Sequence, residues 1–153
     1  MTHVTKQLVI DAPLSAITPL FTSPERWSDW YVALSAPTRV DGAGDVGTYS
    51  EHTYQLAGHG YPIHHTVEEF DVQDVAANWK GRFEGSFVGW HRWTYAPVNG
   101  HVEVTVEHEY ELPGKMLGRI ADALFVERMV SRNLQHSLEN LKMLSEERVA
   151  ATV

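Results

Sequence analysis

The chain reads as an α+β domain in which a curved antiparallel sheet wraps a long C-terminal helix. Three observations lead there. An alternating strand over 101–112 runs through Leu112-Pro113-Gly114 into a helix of about thirty residues, which spans ~45 Å at 1.5 Å per residue. The middle of the chain is a series of short β segments separated by turn residues. The elements follow the order β-α-α-β-β-β-β-β-α, with most strands gathered into one meander. A two-layer core of this size has no need for so long a helix. A strongly curved sheet can grip it, and that geometry leaves a cavity between helix and sheet.

The elements follow from local signals. Residues 3–10 alternate loosely and form the first strand, which Ala12-Pro13 ends. Residues 14–21 make a short helix with Ile17, Leu20 and Phe21 on one side. A second helix starts at Ser23-Pro24, where Ser23 can cap and Pro24 suits the first position. Trp27 and Trp30 lie three apart and share a face of it. Asp41 to Gly47 is a turn rich in Gly and Asp. Strands then fall over 48–56, 63–72, 77–84, 87–95 and 101–112. Their breaks are Gly58-His59-Gly60, Gln73-Asp74, Gly85-Ser86 and Pro97-Val98-Asn99-Gly100. A single domain covers 1–148, and the tail 149–153 is expected to fray.

Composition excludes several functions. A chain of 153 residues, 43% hydrophobic and 21% charged, suits one globular domain with a full core. Its net charge of -8 argues against a nucleic-acid partner, because phosphates need clustered Lys and Arg. No apolar run is long enough to span a bilayer, and the N-terminus lacks a signal-peptide pattern. A cytoplasmic protein, monomer or homodimer, is the expectation. Cysteine is absent, which removes disulfides, thiolate chemistry and cysteine metal sites. The nine histidines do not read as a metal site. His64 and His65 point to opposite faces of a strand, and neither H-x-H on a strand nor H-x-x-x-H or H-E-x-x-H on a helix occurs. No cofactor is expected: G-x-G-x-x-G, the P-loop and the G-x-S-x-G elbow are all missing.

Four stretches stand in order along the chain: I-D-A-P at 10–13, S-P-E-R-W-S-D-W at 23–30, Y-E-L-P-G at 110–114 and R-N-L-Q-H-S-L-E-N-L-K at 132–142. With this element order, the chain resembles the START-like (SRPBCC) superfamily, in its polyketide cyclase/dehydrase and lipid-transport-like bacterial branch. The resemblance covers nearly the whole chain, and L-P-G and S-L-E-N-L-K are its most specific parts. It implies the helix-grip fold shared with the birch pollen allergen, and a pocket for an apolar or aromatic small molecule such as a lipid or polyketide. It implies no single reaction, since members bind, transport, cyclise, dehydrate or sense.

Period-two alternation sorts the strands by face. Val102, Val104, Val106, His108, Tyr110 and Leu112 look inward, against Glu103, Thr105, Glu107, Glu109 and Glu111. Trp79 and Phe83 point in from the strand at 77–84. Ile63, His65 and Val67 share a face, which leaves His64 outside. Trp93 and Tyr95 match inward apolar positions of the resembling family, which places His91 inward with them and Trp90 outward. On the long helix, a 100° step gathers Met116, Ile120, Ala123, Val130, Leu134, Leu138 and Leu141 into one stripe, with Glu127 inside it and Ser131 and Ser137 nearby. A carboxylate there needs a partner, and Arg82, Arg92 and Arg128 are the candidates, or its pKa must rise.

The expected pocket lies between the sheet and the first half of the helix. It is lined by His65, Trp79, Phe83, His91, Trp93, Tyr95, His108, Tyr110 and Glu127, with space of ~300 Å³ for a small molecule. Of these, His65, His91, His108 and Glu127 are the candidates for acid–base catalysis. Three functional classes stay open: a binder of an apolar or aromatic molecule, a cofactor-independent cyclase or dehydratase, and a stress-responsive or protein-interaction module. A cavity closed by large aromatics would favour the third.

Overall fold

The computed structural model describes residues 1–112, 114 and 123–151. The order is β1 (Thr2–Ile10), α1 (Leu14–Phe21), α2 (Pro24–Trp27), β2 (Arg39–Asp41), β3 (Tyr49–Leu56), β4 (His59–Val72), β5 (Ala77–Gly85), β6 (Val88–Val98), β7 (His101–Glu111) and α3 (Ala123–Ala151). The seven strands form one antiparallel sheet, β1-β7-β6-β5-β4-β3-β2. The long C-terminal helix packs on its inner face, which is the helix-grip arrangement.

Two tight turns set the meander. Ala57 and Gly58 both have positive φ, as do Asn99 and Gly100, and this pairing makes hairpin turns whose twist matches the strands. The first turn is tighter than the sequence suggests, so β4 begins at His59 rather than at Ile63. The register of β4 slips between Val67 and Glu69, an extra residue of the kind that bends a strand and increases twist. One strand was not expected. Arg39–Asp41 pairs with β3 at the sheet edge, where part of a turn was expected.

The two short helices close one end. Pro24 opens α2 as its first residue, but Ser23 makes no capping bond; its hydroxyl donates to Glu25 at 2.7 Å instead. Trp30 lies beyond the four-residue α2, yet both tryptophans are buried. Their indole N–H groups donate to Phe21 O and Leu20 O at 2.8 Å, tying α2 and its sequel back to the end of α1.

On α3 the core stripe is Val126, Val130, Leu134, Ser137, Leu138, Leu141 and Ser145. Two residues expected on it, Ala123 and Glu127, are exposed instead. The stripe steps back four from Val130, to Val126, not three. Met116 and Ile120 lie outside the described residues. The helix continues through Ala151, with Val149 packed against the core, past the point where fraying was expected. Polar ties fix the helix: Asn133 donates to the Tyr54 hydroxyl at 2.9 Å, Asn140 to Trp30 O at 3.2 Å, and the Val32 N–H to Ser137 Oγ at 2.9 Å.

Candidate functional site: a histidine row in an aromatic cavity

The inner face of the sheet carries a row of histidines. His91 on β6 sits opposite Gly81 of β5 on one side and His108 of β7 on the other. His65 on β4 lies across β5 from them, opposite Phe83. Strands are spaced ~4.8 Å apart, so a residue of β4 and one of β6 start about 10 Å apart. Their rings meet above Gly81, where His65 Nε2 is 2.7 Å from His91 Nε2. A Cβ at Gly81 would overlap His65 Nε2 and Cε1. The missing side chain is what lets the two imidazoles touch.

The proton positions in this pair follow from a third residue. The Trp93 indole N–H donates to His91 Nδ1 at 3.1 Å. A neutral His91 therefore carries its proton on Nε2 and donates it to His65 Nε2. A fourth inward histidine, His52 on β3, went unnoticed in the sequence. It is fully satisfied: Nδ1 donates to Ser35 O at 3.0 Å and Nε2 accepts from Ser50 Oγ at 2.9 Å.

Aromatic rings pack around the row. Trp27 stacks against both His52 and Trp79, with centroids 5.7 Å apart in each case, and meets His65 edge-on at 4.9 Å. Phe83 stacks on His108 at 5.1 Å. The cavity is enclosed by these rings with Trp30, Tyr31, Tyr54 and Phe87, and by Val126 and Val130 of α3. Its volume, as room for the centres of water molecules, is about 60 Å³. That holds a few waters and is narrower than the expected space. Large aromatics fill much of the space and leave a small cavity.

Of the expected lining residues, His65, Trp79, Phe83, His91, His108 and Tyr110 border the slot. Trp93 and Tyr95 face inward as expected but lie behind it, Trp93 edge-on to Trp30 and Tyr95 stacked on Phe21 at 4.1 Å. Glu127 is outside, in a shallow surface groove with Lys6, Arg128 and Arg132. Arg82 and Arg92, considered as its partners, pair instead with Glu68, Glu84 and Glu69. His64 also faces out, 3.7 Å from Glu84. The expected lining did not name Trp27, Trp30 and Tyr31, which come from α2 and the segment after it, where no period-two rule applies.

Burial governs the electrostatics. It lowers the His65 pKa to about 3, with His52 adding repulsion, and the His108 pKa to about 4, with His3 adding. It holds His91 well below the usual histidine range, helped by His65 and His108. His52 is lowered by burial, partly offset by its bond to Ser35. Burial also pushes the Tyr31 and Tyr95 hydroxyls upward. At neutral pH the slot is uncharged. Among the described residues, His65 Nδ1 and His108 Nδ1 have no hydrogen-bond partner, and both atoms are fully enclosed by the packing. No group of three or more possible metal ligands occurs among the described residues.

A sheet gripping a helix over an aromatic cavity defines a helix-grip domain with an internal hydrophobic site. The chain belongs to the polyketide cyclase/dehydrase and lipid transport family, whose model matches residues 1–146. Solved structures share the fold at low identity. The Zhui aromatase/cyclase from Streptomyces sp. R1128 superposes with a TM-score of 0.75 at 14% identity, over 97% of this chain and 95% of its own. Norcoclaurine synthase from Thalictrum flavum, in complex with dopamine and hydroxybenzaldehyde, gives 0.66 at 14%, over 95% and 87%. A protein of Thermus thermophilus gives 0.63 at 21%, over 99% of both chains. No curated protein matches in sequence. No helix among the described residues is long and apolar enough to cross a membrane.

Proposed function

We propose that this protein binds a small, flat, largely apolar molecule, aromatic in character, in the slot between the sheet and α3. The observation that carries the reading is the set of ring walls, Trp27, Trp79 and Phe83 among them, around an apolar cavity between the sheet and α3. The aromatic walls Trp27, Trp79 and Phe83 favour a ring that stacks on them over a bulky acyl chain. The family supports a hydrophobic ligand, and two of the fold relatives are an aromatase/cyclase and a synthase holding dopamine and hydroxybenzaldehyde.

Binding is favoured over acid–base catalysis by a specific feature. A general base works best with a pKa near the operating pH, whereas His65 and His108 are lowered to about 3 and about 4. Of the other acid–base candidates, His91 is held well below the usual histidine range by burial and Glu127 lies outside the cavity. The narrowness of the slot supports a second reading, an interaction module whose aromatic centre is simply core. Native mass spectrometry of the purified protein, followed by tryptophan fluorescence titration with fatty acids, flavonoids and quinones, separates the two. A co-purified small molecule or saturable quenching by ring compounds is expected. No bound mass and no response across the panel would favour the interaction module.

A further inference from the structure

We propose that the N-terminal half of α3 is a docking surface for an anionic lipid bilayer, which it meets with a cationic groove and two exposed apolar side chains beside it. The chain as a whole is acidic, with a net charge of -8, so a local gathering of cations calls for a partner. Lys6, Arg128 and Arg132 line the shallow groove between β1 and α3, with Glu127 among them. Elsewhere Arg26, Arg39, Arg82 and Arg92 each meet a carboxylate. Among the described residues, none of the three groove cations does. Leu124 and Phe125 lie next to them and are 52% and 47% exposed. At 100° per residue, Phe125, Arg128 and Arg132 fall within about 60° of one another, on the side of the helix turned away from its core stripe. Such a face fits an anionic interface: the apolar side chains enter the headgroup boundary while the cations meet the phosphates. A free small anion would satisfy the cations but leave Leu124 and Phe125 in water. The other half of α3 is unsuited, because Glu139, Glu146 and Glu147 stand along its outer face, where anionic lipid would repel them. Docking therefore has an orientation. It sets the start of the helix on the bilayer, and Val126, the residue after Phe125, lines the cavity. An apolar ligand dissolved in the bilayer is then held beside the site that takes it.

Vesicles of phosphatidylglycerol and phosphatidylcholine in equal parts, and of phosphatidylcholine alone, test this with the full chain. In flotation at low salt, the unaltered protein should bind the anionic vesicles about tenfold more than the neutral ones, and about 0.5 M salt should abolish the difference. Arg128→Gln together with Arg132→Gln should lower the partition coefficient about twentyfold, the product of roughly fivefold per charge. The chain has no cysteine, so Phe125→Cys and Met143→Cys each take one environment-sensitive thiol label. Both positions are exposed, and circular dichroism checks that each variant folds. The label at 125 should shift to the blue on anionic vesicles, and the label at 143 should stay in water. No binding, equal binding to both vesicles, unchanged binding of the double arginine variant, or a blue shift at 143 in place of 125 would each overturn the proposal. Binding to a polyglutamate peptide with none to the vesicles would overturn it in favour of an acidic protein partner. The cavity reading survives any of these results, since its own titrations contain no vesicles.

Discussion

Gly81 is the residue on which the histidine pair depends. Any Cβ there would occupy the space of His65 Nε2 and Cε1. Gly81→Ala should therefore push the rings apart and cost ~1–3 kcal/mol, as overpacking in a filled core does. Urea unfolding checks the stability, and the His65 nitrogen shifts check the pair; an unchanged midpoint with unchanged shifts would contradict the account. At this scale the sequence was partly legible. Strand alternation placed His65 and His108 on the inner face, because each sits among apolar neighbours two apart, whereas His91 was placed there through the inward positions of the resembling family. It did not single out His52, whose face reads Thr48, Ser50, His52, Tyr54 and Leu56, too polar to form a stripe. Nor could it show that His65 and His91 meet, since that contact crosses a strand and depends on a glycine that alternation treats as blank.

The long helix shows what a periodic pattern can and cannot fix. Its C-terminal half was readable because Leu134, Leu138 and Leu141 repeat at helical spacing, and all three are at most 1% exposed. Leu138→Ala should cost ~2–5 kcal/mol, measured by chemical denaturation; a loss under about 1 kcal/mol would mean the site collapses around the smaller side chain. The N-terminal half was ambiguous by one residue. Val126 and Glu127 are equally good continuations of a stripe that starts at Val130, and only packing chose the valine. Glu127→Gln should thus change stability by no more than about 0.5 kcal/mol, as exposed substitutions do. It should also leave any ring-ligand titration unaltered, whereas a drop in affinity would return Glu127 to the site. β2 was illegible for a different reason: Arg39–Asp41 is three residues long at a sheet edge, and its single pairing leaves no hydrophobic period.

For the whole molecule, burying a histidine row makes folding stability depend on pH in one direction. His52, His65, His91 and His108 all have folded pKa values below the ordinary histidine value. Below about pH 6.5 the unfolded chain takes up protons that the folded chain refuses, so stability falls as pH falls. It keeps falling until the folded values are reached, near 4 for His108 and 3 for His65. Above about pH 7 these groups are neutral in both states and contribute no slope. His65, His91 and His108 all act in the same direction in that window, so their effects share one sign. The urea midpoint should hold steady from about pH 8 to 7 and decline from about 6.5. Lowered carboxylates do not explain a decline that begins near pH 6.5, because Glu25 and Glu146 start from 4.5 and move downward, so their stabilisation is lost only as pH falls below about 5. A midpoint that stays level from pH 7 to 5 would show that the histidine row is wetter than its packing implies. A ligand that binds only the folded chain would raise stability across the window without changing the slope, since folded His65 is already neutral there.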